Sequence, residues 1–206
     1  MSWLTFTRHL GAISALAIAL AACGHGGATV AGPTRPASSW AGQDADLFDD
    51  GIDVGAIPIG GAAANEKDRD EANDERVPNR VEKADGVVVG KVIGVSSEPV
   101  GDHNRFRLEL TIEGDPLAGA HPDTPFTLVV ESSSPAFGTV RSQDAQLIGK
   151  KFVVYFRRYA GEEGGEPITH YHLSPTTDHV LDLIQRANTK RKVEEGLARP
   201  GPRFAI

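Results

Sequence analysis

Three regimes of apolar spacing divide this chain. Leu10–Leu20 (LGAISALAIAL) is an uninterrupted, uncharged apolar run, residues 24–66 scatter Gly, Ala and Pro without a sustained period, and from Val81 onward short periodic segments follow one another. Gly86–Ser97 (GVVVGKVIGVSS) is rich in β-branched residues and predicts a strand, with Gly90 and Gly94 allowing a bend or the close approach of another backbone. Asn104–Glu113 alternates: Phe106, Leu108, Leu110 and Ile112 share one face, and Arg105, Arg107, Glu109, Thr111 and Glu113 the other. That is the period of a half-buried antiparallel strand. Phe126, Leu128 and Val130 repeat it, and Lys151–Arg158 (KFVVYFRR), apolar on both faces, pairs with Ile168–Leu173 across the Gly-rich loop Ala160–Pro167. Ser174-Pro175 then predicts a helix start, Ser as the cap and Pro in the first turn, with Val180, Leu183, Ile184 and Ala187 as the apolar stripe.

Five short strands and one amphipathic helix predict a mainly β fold: a small antiparallel OB-like barrel with a C-terminal helix over its open end, preceded by a disordered tether. Ala84–Val92 (ADGVVVGKV) and Gly149–Arg158 (GKKFVVYFRR) resemble the small OB-like or netrin-module-like β-barrel domains of exported bacterial proteins. The resemblance implies architecture and carries no catalytic residue across.

A length of 206 residues accommodates one ordinary domain and a tail. Lys and Arg number 21 against 28 Asp and Glu, so no basic surplus is present to neutralise phosphates, and nucleic acid is not expected as a partner. A single Cys cannot form an internal disulfide, which asks for another account of the thiol.

The N-terminus gives that account. Arg8 makes a modestly positive start, and the run Leu10–Leu20 is too short for the roughly 20 apolar residues of a membrane span but suits the 7–15 of an export signal. It ends in Leu20-Ala21-Ala22-Cys23, which resembles the lipobox of bacterial lipoproteins. The resemblance implies cleavage between Ala22 and Cys23 and acylation of Cys23, whose lipid chains, contributing about 0.8 kcal/mol per buried CH₂, anchor the chain to a bilayer. Gly24 rather than Asp follows Cys23, and by the sorting rule of enteric lipoproteins the resemblance then implies a cell-envelope location at the outer membrane rather than the inner.

The expected organisation is therefore a lipoprotein signal peptide at 1–22, lipidated Cys23 and a tether to residue 80, a β-barrel domain with its helix at 81–188, and a tail at 189–206. About 40 Gly- and Ala-rich residues reach roughly 35 Å, enough to hold a domain clear of head groups. Within the tether, Asp46–Val54 mixes apolar and acidic residues. Its aspartates do not follow the EF-hand order, so it is read as a segment that packs back on its own domain or on a partner. Asn65–Arg76 (NEKDRDEANDER) is a solvated charged run, helical or extended, broken before Pro78.

Catalytic motifs are missing. Gly86–Val92 has three residues rather than four between its glycines and no hydroxyl after Lys91, so it is core strand and not a phosphate loop; Ser132–Pro135 lacks a nucleophile-elbow context and reads as a turn. One constellation carries chemistry: His170 and His172 on one strand face, with His179 as a possible third ligand and Asp178 or Asp182 as carboxylates. His103 and His121 fall in loops, and Lys190-Arg191-Lys192 ends a solvated helix. The expectation is a non-enzymatic envelope lipoprotein without cofactor, whose barrel binds another envelope protein or polymer; the alternative is a metal-binding protein using His170, His172 and His179.

Overall fold

The computed structural model describes residues 35–53, 75–161 and 165–198. The segment read as an export signal, Ala22, Cys23, most of the expected tether and of the charged run, and the last residues of the expected tail lie outside them. Among the described residues no helix is long and apolar enough to cross a membrane.

The fold is mainly β, as expected, with a C-terminal helix. Six strands, β1 (Gly51–Ile52), β2 (Gly86–Val100), β3 (His103–Gly119), β4 (Phe126–Val130), β5 (Lys151–Tyr159) and β6 (Ile168–Pro175), form one sheet in the order β1-β6-β5-β2-β3-β4. All neighbours are antiparallel except β1 and β6, which run parallel. The helices are α1 (Gln43–Leu47), α2 (Arg76–Lys83), α3 (Phe137–Leu147) and α4 (Asp178–Ala198).

Strand periodicity assigns the two faces. One carries Val88, Val92, Leu108, Leu110, Leu128, Val154 and Leu173 and is covered by α3 through Val140 and Leu147. The opposite face carries Val87, Val153 and Tyr155 and packs against Phe48, Val77, Val81, Val180 and Ile184 from α1, α2 and α4. Each of these fully buried aliphatic or aromatic side chains contributes about 1.5–3 kcal/mol. Gly90 sits where a Cβ would fall 2.8 Å from Leu110 Cδ2 and 3.0 Å from Val154 Cγ2, the close approach its position suggested. The register shift between Val92 and Gly94 is the bend anticipated at Gly94.

The expected closed barrel is not formed. β4 lies beside β6, and Phe126 meets Phe156 at 5.4 Å between ring centroids, but the edges do not pair. The edge of β6 is taken instead by β1, and one backbone bond, Ala136 N–H to Asp50 O at 3.3 Å, ties the turn after β4 to the turn before β1.

Packed structure also begins upstream of residue 81. The segment read as tether supplies an arm at Arg35–Trp40, α1 and β1, so Asp46–Val54 does pack back on its own domain as far as it is described. The arm joins β5 where Ala160 N–H donates to Arg35 O at 2.6 Å and Pro36 bridges Ala160, then crosses the β5–β6 hairpin. α2 starts at Arg76 and contains Pro78 within its first turn, where the missing N–H has no intrahelical partner to lose. Val77, Arg80 and Val81 form its buried side.

Two details of the last helix differ from expectation. Its cap is Thr177, whose Oγ1 accepts Val180 N–H at 3.2 Å and whose carbonyl accepts Leu181 N–H at 3.0 Å, whereas Ser174 and Pro175 still belong to β6. The helix runs on to Ala198, past the 81–188 bound of the expected domain and the Lys190-Arg191-Lys192 cluster expected to end it, with Asn188 and Arg191 bonding to Leu117 O and Val81 O.

Candidate functional site

Strand alternation turns His170, His172 and Ser174 to the face packed by α1, α2 and α4, where three aspartates flanking β1, Asp49 and Asp50 before it and Asp53 after it, meet them. Asp50 Oδ2 is 2.8 Å from His170 Nδ1, Asp49 Oδ1 is 2.8 Å from His172 Nδ1, and Ser174 Oγ donates to Asp53 Oδ2 at 2.8 Å. His172 Nε2 lies 3.1 Å from Asp53 Oδ1, within ion-pair distance but out of line for a hydrogen bond. His172 thus stands between two carboxylates and is 4% exposed.

Burial pushes the Asp49 and Asp53 carboxyls up, but His172 and the Arg80 charge, with Ser174 at Asp53, outweigh it and hold both below the ordinary value of 3.8. Asp50 is raised instead: burial dominates, its His170 and Tyr171 bonds offset only part of it, and the neighbouring Asp49 charge adds to it. Arg80, 1% exposed, donates from Nε to Leu47 O at 2.9 Å and lies over the Tyr155 ring at 5.7 Å. Burial lowers its pKa against the pull of Asp53.

Asp50 organises the turn into β1. At φ 52° it is the one non-glycine residue with positive φ among the described residues, a conformation that costs about 1–3 kcal/mol unless its surroundings fix it. They do: Asp50 N–H donates to Tyr171 O at 2.8 Å, and Asp50 Oδ1 accepts Tyr171 N–H at 3.0 Å.

His170 is the link between this cluster and a groove. Trp40 stacks on its imidazole at 3.7 Å between centroids with planes 1° apart, Tyr159 approaches it edge-on at 5.5 Å, and Trp40 Nε1 donates to Phe48 O at 3.0 Å. Between the arm and the end of the β5–β6 hairpin opens a slot of about 710 Å³ whose walls include Pro36, Ser38, Trp40, Gly161, Ile168 and His170. Among the described residues, His170 is the one ionisable side chain lining it.

The structure therefore brings His170 and His172 onto one face, as alternation implied, and gives each an aspartate. Carboxylates occupy the ring positions a metal would use at His172, and no group of three or more His, Cys, Asp or Glu side chains able to hold a metal forms among the described residues. His179 opens α4 without completing such a group, Asp178 is exposed, and Asp182 pairs with Arg186 at 2.5 Å. Asp46 is exposed outside the cluster. No pattern in the sequence singles out Trp40; the signal that points to it is rarity, since it is one of two Trp in the chain. No family model, curated protein or solved structure matches the chain.

Proposed function

We propose that this protein is a lipid-anchored envelope protein, attached through Cys23, whose folded domain is a non-enzymatic binding module for another envelope component. The observation that carries the binding role is the slot at Trp40 and His170. It is open and largely apolar, with few polar groups, and its aromatic wall is fixed by a stack and a hydrogen bond before any ligand arrives. The anchor rests on Leu20-Ala21-Ala22-Cys23 and on the position of the sole Cys.

The test is a photo-crosslinking residue at Ile168, 39% exposed on the rim, in the full chain expressed in cells. A discrete envelope protein or glycan adduct supports the binding role. Recovery of the same membrane neighbours from Ile168 as from a control position on the exposed side of α4 removes it. Loss of membrane sedimentation in Cys23→Ser tests the anchor separately.

A further inference from the structure

Resting on that binding role, we infer that the slot takes a neutral oligosaccharide, with Trp40 as the stacking surface and His170 as its fixed hydrogen-bonding partner. Three observations give the ligand its chemistry. The walls combine Pro36, Ala37, Ala160 and Ile168 with an indole, and among the described residues His170 is the sole ionisable side chain lining them, so those walls favour a neutral ligand over a charged one. The indole is preorganised: one face lies against the imidazole, Nε1 is spent on Phe48 O, and the rest of the ring borders the slot. A rigid aromatic plate suits the C–H face of a pyranose, which is apolar although its rim bears hydroxyls.

The polar half of the recognition follows from Asp50. Its carboxylate is an acceptor at Nδ1, which leaves Nε2 as the ring nitrogen for a second partner. A sugar hydroxyl, which both donates and accepts, can pair with that nitrogen whether or not it carries a proton. Ser38, also in the wall, can donate or accept. A volume of about 710 Å³ in an open slot accommodates more than one ring, which selects an oligomer over a monosaccharide.

The experiment uses the full mature chain in a detergent without a sugar head group, titrated with chitotriose and with maltotriose. Trp3 leaves with the signal, so Trp40 fluorescence reports the slot alone, and calorimetry measures the Trp40 variants. Saturable binding by at least one trimer is expected, with dissociation constants in the micromolar to millimolar range. Trp40→Ala and His170→Ala should each weaken it by about tenfold or more, and Trp40→Phe by less. Should either alanine variant fail to fold, Ile168→Trp fills the slot from a half-exposed rim position and should abolish binding with the fold intact. No saturable signal from either trimer, or binding indifferent to Ile168→Trp, overturns the inference. A protein adduct at Ile168 in cells together with that negative result would leave the binding role standing and remove only the saccharide.

Discussion

Replacing His172 with Ala tests whether β1 is held to β6 by charge as well as by backbone. The side chain is 5% exposed and bridges Asp49 and Asp53, whose side chains are 29% and 30% exposed. Breaking a buried pair by removing one partner costs about 3–5 kcal/mol, whereas a surface pair contributes about 0–1 kcal/mol. Because both carboxylates can partly rehydrate and Arg80 remains near them, the expected loss is about 2–3 kcal/mol. Urea unfolding near neutral pH, where m is about 1–3 kcal/mol per M, reads this as a midpoint lowered by about 1 M with m unchanged. Hydrogen exchange adds the location: Asp50 N–H and Asp53 N–H, bonded to Tyr171 O and Leu173 O at 2.8 Å each, should lose protection more than the β2–β5 ladder. The pH dependence carries a sign. Asp49 and Asp53 have folded values below the ordinary 3.8, so their stabilisation is complete above 3.8 and lost as pH falls through the folded values. The gap between wild type and His172→Ala should therefore narrow as pH falls below 3.8, while Asp50, raised in the fold, works in the opposite sense. A loss under about 0.5 kcal/mol, or a gap that widens in acid, would refute the reasoning.

Three further outcomes are expected. Gly90→Val drives a side chain into Leu110 and Val154 and should cost about 1–3 kcal/mol, seen as a lower thermal midpoint; an unchanged midpoint would mean the sheet can open there without penalty. In alkali, burial raises Tyr155 and Tyr171 well above 10 and Tyr159 to about 12, so their contribution is whole below pH 10 and lost as pH climbs through the raised values. Tyrosinate absorbance should rise together with loss of structure, and free titration of all three tyrosines near pH 10 in the folded protein would contradict their burial. Added zinc should leave the unfolding midpoint unmoved, because the His172 ring positions face Asp49 and Asp53; stoichiometric binding abolished by His170→Ala with His172→Ala would restore the metal alternative.

Sequence by itself determined the elements whose period is local. Alternation in β3 and β4, the apolar β5 with its partner β6, and the stripe Val180, Leu183, Ile184 and Ala187 were all legible, because each repeats over several residues and one buried face demands it. α3 was missed: its buried residues are sparse, it has no side-chain cap, and its helix is kinked at Gln143, so no periodic run marks it. Tertiary structure alone decided β1, the arm and the site. A two-residue strand has no period, and the Asp–His pairs join residues 120 and 123 apart, so their meeting depends on the edge of β6 being in place first. β1 takes the edge of β6 at His172 and Leu173, β4 pairs only with β3, and the sheet that the strand pattern would close into a barrel is open.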